Sequence, residues 1–484
     1  MKNSGSRRVG GTAQSADLTT QGRTRWSIPL PHPVSNSSFT SALARAILAG
    51  ERNADAIVLR CRQLTGRRWR WLRPLATRYL KAFPEQARPR HRQVVQFLLA
   101  DEHFQDALRR YAKEIQVETN LHPAHPMRPV QAASRWNLPA LESVADLAHW
   151  FRITPSELEW FAELKRLTRR TGNSRLRHYH YRVLAKKSGN IRLIESPKDH
   201  LKLMQRQILS EILYRIPAHN AAHGFIPGRS IQTFVAPHVG QSIVLRMDLQ
   251  DFFPSISRAR VQAAFRTAGY PERVADLLGG LCSTPTPDDV WLKYRSTVTM
   301  ERLTAARALY GQPHLPQGAP TSPALANICA YRFDCRLQGL AESANANYTR
   351  YADDLAFSGD ARFAAQIQHF ATQAAAILLE EGFAVYHRKT RIMRQGVRQY
   401  LAGLVTNQRI NIVRADFDRL KAILHNCVQR GPESQNRKGH PAFQAHLAGR
   451  LSFVESIHPA KGKRLRGVFE KIQWADGPSQ TYPK

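Results

Sequence analysis

The stretch Tyr348-Thr-Arg-Tyr351-Ala-Asp353-Asp354-Leu-Ala-Phe357 decides how this chain is read. It has the pattern of a strand, a tight turn and a second strand. The turn carries two adjacent carboxylates. Like charges side by side raise each other's pKa unless a cation neutralises them. Magnesium is the natural occupant, because a hard cation takes oxygen ligands and substrate phosphates together. A pair of aspartates in a turn is also what an ordinary polar turn looks like, so the surrounding sequence has to decide.

Upstream lies Ser242-Ile-Val-Leu-Arg-Met-Asp248-Leu-Gln-Asp-Phe-Phe253. Its apolar, partly β-branched run reads as a strand, which puts Val244, Arg246 and Asp248 on one face. An acid at the end of a buried strand is costly unless a cation pairs with it; the competing reading is a cap for the next helix. Added to Asp353 and Asp354, Asp248 completes a carboxylate set suited to two metal ions. One would activate an attacking 3′-hydroxyl and both would steady a transferring phosphoryl group. Between these segments comes Leu315-Pro-Gln317-Gly318-Ala-Pro-Thr-Ser322-Pro323-Ala-Leu-Ala-Asn327. Gly and Pro make a tight loop there, feeding a helix that starts near Ser322 with Pro323 in its first turn. Such a loop lets backbone and the Gln317 amide approach a base pair or sugar, although alone it would pass as an ordinary Pro-rich connection.

Taken in order, the strand aspartate, the Pro-Gln-Gly loop and the Tyr-x-Asp-Asp turn resemble the palm motifs of reverse transcriptases. Four more segments agree. Lys186-Lys-Ser-Gly-Asn-Ile-Arg192-Leu-Ile-Glu-Ser-Pro197 resembles the fingers hairpin that binds the incoming triphosphate. His223-Gly-Phe-Ile-Pro-Gly-Arg229-Ser230-Ile231 resembles the template-side segment of bacterial members. Gly382-Phe-Ala-Val-Tyr-His-Arg-Lys389-Thr390 resembles the motif whose Lys is the proposed general acid for pyrophosphate. Leu401-Ala-Gly-Leu-Val-Thr-Asn407 resembles the primer grip. The resemblance runs roughly from Leu141 to Ile472. It implies an α+β, right-hand polymerase fold of fingers, palm and thumb, here with an N-terminal helical extension. It implies RNA-directed DNA polymerase activity, with two Mg²⁺ ions held by Asp248, Asp353 and Asp354. Lys186 or Lys187, with Arg192, would neutralise the triphosphate. Phe253 follows Asp248 at the family's spacing for the steric gate under the sugar 2′ position, whereas Phe252 is expected in the core.

Within the family the chain looks most like long-form retron reverse transcriptases, on the run Arg215-Ile-Pro-Ala-His-Asn-Ala-Ala-His-Gly-Phe225 and on Leu447-Ala-Gly-Arg-Leu-Ser-Phe-Val454. Two segments depart. Phe234-Val-Ala-Pro-His238 keeps only the His of the retron Asn-Ala-x-x-His, and Leu401-Ala402-Gly403 stands where retrons carry Val-Thr-Gly. The resemblance ties both segments to recognition of the cognate RNA. The implied partners are an RNA template (a cognate non-coding RNA), a primer, the DNA product, dNTPs and a toxin or effector, in a setting of anti-phage defence. Another defence-associated reverse transcriptase, or a catalytically silent RNA-binding protein on the same fold, stays open.

The bulk properties fit a nucleic-acid partner. The 484 residues carry 71 Lys and Arg against 37 Asp and Glu, a formal charge of +34. Such a chain repels itself unless a polyanion is a normal partner. No basic amphipathic anchor and no apolar run long enough to span a bilayer points to a membrane. The cysteines at 61, 282, 329, 335 and 427 form no CxxC pair, so neither a zinc site nor a disulfide framework is expected, and a reducing cytoplasm is. Residues 1–37 read as a flexible basic tail without the apolar segment of a signal peptide. Residues 38–125 read as a basic helical accessory region. There Arg60, Arg62, Arg67, Arg68, Arg70, Arg73 and Arg78 interleave with Trp69, Trp71 and Tyr79. Either the arginines grip phosphates while the rings stack on bases, or the rings are core beneath a solvated face. Residues 126–175 form a helical lead-in, with Leu141, Val144, Leu147, Trp150 and Phe151 on one buried face and a capping box from Thr154 to Glu157. Residues 176–400 would be fingers and palm, and 401–478 primer grip and thumb.

Overall fold

The computed structural model describes residues 36–49, 52–84, 89, 91–111, 114–115, 126–164, 176–185, 191–294 and 299–474. The chain divides into two units, Met1–Thr119 and Asn120–Lys484. The first is built from the helices Asn36–Leu48, Ala54–Thr65, Leu72–Ala82, His91–Ala100 and Glu102–Arg110. Asn53 and Asp101 cap two of them by accepting from the Ala56 and Phe104 amides, and Gly66, at φ 64°, ends the second in the left-handed conformation that suits it. Phe39, Leu43, Ile57, Leu64, Leu75, Tyr79 and Phe104 fill the interior. Trp69 is 7 % exposed. Its ring lies 5.0 Å from Tyr111, and Trp71 lies 5.6 Å from Phe104. Of the two readings left open, the packing supports the rings as core: Trp69 and Tyr79 are buried and Trp71 is half-buried against Phe104. The arginines divide. Arg78 pairs with Asp101 at 2.6 Å, and Arg60 caps the Ala46 and Ile47 carbonyls at 2.8 and 3.1 Å. Arg62, Arg67, Arg68, Arg70 and Arg73 face solvent.

In the second unit, Val144–Trp150 and Pro155–Ala162 both begin with capping boxes, from Ser143 and Thr154. Leu141, Val144, Leu147 and Phe151 are buried as their spacing predicts, while Trp150 stays at the rim and donates to Glu211 at 3.0 Å. A hairpin follows, β1 (Tyr179–Ala185) against β2 (Ile191–Pro197), antiparallel from Tyr179↔Pro197 to Ala185↔Ile191. The central sheet contains β3 (Ile243–Gln250), β4 (Asn347–Tyr351), β5 (Asp354–Gly359), β6 (Ala384–Val385) and β7 (Arg391–Arg394). Its order is β4-β5-β3-β6, with β7 also on β3. β3 is buried at nearly every position. Its apolar residues feed two clusters, Ile243, Leu245, Met247 and Leu249 in one and Val244 in the other, so both faces are covered. The helices Arg258–Thr267, Ser322–Ser343 and Ala361–Glu380 share one core with the sheet. The expected strand-turn-strand is β4 and β5, and the expected helix starts at Ser322 with Pro323 in its first turn.

A small sheet of β8 (Tyr400–Leu401), β9 (Leu404–Val405) and β10 (Asn411–Ile412) leads to the helices Arg414–Arg430, Phe443–Ile457 and Pro459–Phe469. These close on a separate core around Leu420, Leu424, Leu447, Leu451 and Leu465. The fold class is α+β, as expected. Among the described residues no helix is long and apolar enough to cross a membrane.

Candidate active site

The antiparallel register of β3 and β5 places Asp248 directly opposite Asp354. Asp353 sits in the turn before β5, and its carbonyl accepts the Leu249 amide at 2.9 Å, which ties the turn to β3. One strand end and one turn thus bring the three predicted aspartates together. Burial, then the charges of Asp248 and Asp354, push the Asp353 carboxyl above the usual carboxylate range. Burial also raises Asp354, against the pull of Arg246.

Two cations stand on this cluster. Lys389 Nζ donates to both oxygens of Asp248 at 2.8 and 2.9 Å. Arg246 donates through Nε and Nη2 to Asp354 Oδ1 at 2.9 and 2.6 Å. Arg246 shares the strand face of Asp248, as the alternation of β3 predicts, but its partnership with Asp354 was not foreseen. Among the described residues no three His, Cys, Asp or Glu side chains are gathered into a finished metal cage. The reason is visible in the geometry: Asp354 is turned toward Arg246, and Asp248 toward Lys389. The donor set nevertheless fits a hard divalent cation. It is all oxygen, and Asp353 has no ion pair among the described residues. Its raised pKa comes partly from the like charges that a cation would neutralise.

A second layer fixes the turn. Arg350 and Asp334 are both fully buried and form a bidentate pair at 2.8 and 2.6 Å. Arg350 Nη1 reaches on to the Ala352 carbonyl at 3.1 Å and to Asn327 Oδ1 at 3.0 Å. Asn327 in turn donates to the Gly224 carbonyl at 2.9 Å, and the Tyr348 hydroxyl donates to Asp334 at 2.7 Å. The helix that follows the Pro-Gln-Gly loop therefore grips the Asp353–Asp354 turn through Asn327 and Asp334. Sequence reasoning missed both. The one available signal was Arg350, a charge at a buried position of β4.

Gln317 is half-buried, and its carbonyl accepts the Glu195 amide at 2.9 Å. Gly318 sits at φ 137°, where a Cβ would come within 2.9 Å of the Glu195 carbonyl, so only glycine lets the loop lie against β2. Glu195 is itself buried between His314 and Thr286, each 2.8 Å away. Arg192 is exposed on β2. Lys186, Lys187 and the turn joining β1 to β2 lie outside the described residues. Phe252 is 4 % exposed and in the core, as expected; Phe253 is half-buried, with Phe252 at 5.6 Å and Phe225 at 6.2 Å. His238 is 0 % exposed and bridges Ser358 and Thr349 at 2.6 and 2.7 Å. This corrects the expectation for His238 itself: a side chain sealed inside the sheet layer cannot touch RNA, and His238 serves as a polar pin between β4 and β5. Burial lowers its pKa to about 3, so it is neutral.

Comparison with known proteins agrees with the geometry. The family model "Reverse transcriptase (RNA-dependent DNA polymerase)" matches residues 184–410. The chain is 37 % identical over 336 residues to the retron Mx65 reverse transcriptase of Myxococcus xanthus, covering 69 % of this chain and 72 % of that protein. It is 36 % identical over 350 residues to the retron Mx162 reverse transcriptase of the same organism, covering 69 % and 68 %. To the retron Ec86 reverse transcriptase of Escherichia coli it is 28 % identical over 339 residues, covering 69 % and 91 %.

Proposed function

Because this chain belongs to the retron reverse transcriptases, and is an RNA-directed DNA polymerase of right-hand fold, we propose that Asp248, Asp353 and Asp354 are its catalytic carboxylates and hold two Mg²⁺ ions. The observation that carries this reading is the β3–β5 register, which sets Asp248 beside the Asp353–Asp354 turn. Bound there, the ions would activate a primer 3′-hydroxyl and offset the charge of the transferring phosphoryl group. The other residues take roles around that centre. Arg192, with Lys186 or Lys187, neutralises the triphosphate, Arg by bidentate contact and Lys as a point charge. The Lys389 ammonium, already on Asp248 and 53 % exposed, is placed to protonate the leaving pyrophosphate. Gln317, on a loop pressed against β2, approaches the nascent base pair or its sugar. The Phe253 ring excludes a 2′-hydroxyl.

In this reading residues 38–125 are an accessory region, 126–175 a lead-in, 176–400 fingers and palm, and 401–478 primer grip and thumb. The template is a cognate non-coding RNA, and the setting is anti-phage defence with a toxin or effector partner. In the accessory region Arg62, Arg68 and Arg70 are exposed and without an ion pair among the described residues. They suit the phosphates of structured RNA, with no stacking from the buried rings.

A calorimetric titration of the full chain with Mg²⁺ tests the metal assignment. Wild type should show saturable binding that Asp353→Asn weakens sharply, with no loss of melting temperature, since the substitution removes like-charge repulsion. Unchanged Mg²⁺ binding by the variant would withdraw it.

A further inference from the structure

Phe225 occupies a backbone conformation that bulky residues avoid. Its φ is +64°, in the left-handed region where a large side chain is an outlier. Such strain persists where the surroundings over-determine it, and it gathers at functional sites. The surroundings here are specific. The His223 amide donates to the Arg350 carbonyl and the Arg350 amide to the Ala221 carbonyl, both at 2.7 Å. Gly224 packs so close to the catalytic turn that a Cβ would stand 2.7 Å from the Ala352 nitrogen. On the far side, the Arg229 guanidinium donates to the Asn220 carbonyl at 2.6 Å. The chain entering Phe225 is thus laced to the Asp353–Asp354 turn.

Burial does not account for the ring this lacing positions, because Phe225 remains 44 % exposed. Its centroid is 6.2 Å from Phe253 and 6.4 Å from Tyr351. Among the described residues the aromatic rings beside Phe253 are Phe225 and Phe252. Phe252 is fixed in the core, so Phe225 is the solvent-exposed aromatic neighbour of the Phe253 ring. We propose that Phe225 is a specificity-determining positioning residue: it backs the Phe253 ring, so that the gate holds its place against a ribose 2′-hydroxyl. The backbone strain at Phe225 is retained because it sets this ring beside the gate. The inference rests on the reading of Phe253 as the gate.

The test is steady-state incorporation by the full chain of one dNTP and its rNTP, on the same RNA template and primer. Variants are Phe253→Ala, Phe225→Gly, Phe225→Asn and the double Phe225→Gly/Phe253→Ala. Gly and Asn both accept a positive φ, so each removes the ring and leaves the backbone in place. Phe253→Ala should raise the rNTP-to-dNTP ratio of kcat/KM. Phe225→Gly and Phe225→Asn should each raise it on the order of tenfold, the scale on which a pocket wall discriminates. The double variant should go no further than Phe253→Ala alone, since both act through one ring. Phe225→Tyr should keep the wild-type ratio. If Phe253→Ala shifts the ratio and neither Phe225 variant does, or if the effects multiply in the double variant, the positioning role is wrong. If Phe253→Ala leaves the ratio unchanged, the gate reading itself falls, and this inference with it. Equal losses for both sugars in the Phe225 variants would overturn it too, and would place the ring against the primer-template.

Discussion

The triphosphate role proposed for Arg192 suits a side chain that is exposed on β2. Arg192→Ala should raise the KM for dNTP about tenfold or more, the scale of one charge-assisted hydrogen bond, with template affinity nearly unchanged. The opposite pattern in steady-state kinetics and filter binding would move Arg192 to the template. At this scale the site was legible where a residue type contradicted its surroundings. Asp248 at the end of an apolar strand and two aspartates in one turn demand a cation, and the register delivers them to one place. Asp334 and Asn327 were not legible. Each looks like an ordinary polar position in a long helix, and its partner becomes visible only when Arg350 folds against it. Arg246 was placed on the correct face, yet alternation says nothing about which carboxylate it meets.

The hairpin of β4 and β5 is held from two sides by buried polar groups, and each gives a measurable consequence. Asp334→Ala leaves the Arg350 guanidinium buried without its carboxylate. It should cost about 3–5 kcal/mol in chemical denaturation, the usual penalty for one half of a buried pair. A loss within about 0.5 kcal/mol, the range of exposed substitutions, would mean that Arg350 finds water instead. On the other side, His238 has a folded pKa depressed by burial to about 3, against an ordinary value of 6.5. The unfolded chain therefore binds the proton first as pH falls. The stability tied to a neutral His238 is fully present above about pH 6.5. It then declines by up to about 1.4 kcal/mol per pH unit as pH drops toward 3. Urea melts at pH 7 and pH 5 should show that decline, and His238→Gln should flatten the dependence; an equal slope in both proteins contradicts the pin. The strand-turn-strand pattern was readable because apolar runs and a polar turn alternate locally. The role of His238 was not, since its partners Thr349 and Ser358 lie more than a hundred positions away.

Across the whole chain, the charge of +34 is an instruction about partners more than about fold. The helical periodicity of residues 38–125 showed that apolar faces existed but not what covers them. Trp69 and Trp71 pack on Tyr111 and Phe104. What remains for RNA is the set of outward arginines. Replacing Arg62, Arg68 and Arg70 with Gln should weaken binding of structured RNA. It should also flatten the log–log salt dependence by about 0.7–0.9 for each phosphate no longer neutralised, and leave extension of a generic primer-template intact. An unchanged salt slope would leave this face to a protein partner. In the other unit, the three aspartates that the β3–β5 register brings together are the groups proposed to carry out RNA-templated DNA synthesis. Primer extension on an RNA template with dNTPs and Mg²⁺, run beside an RNA-binding assay, decides whether they do. Wild type should extend the primer, and Asp353→Asn should bind the RNA equally well and add no nucleotide; near-wild-type extension by Asp353→Asn would mean that the Asp353 carboxylate does not hold a catalytic metal.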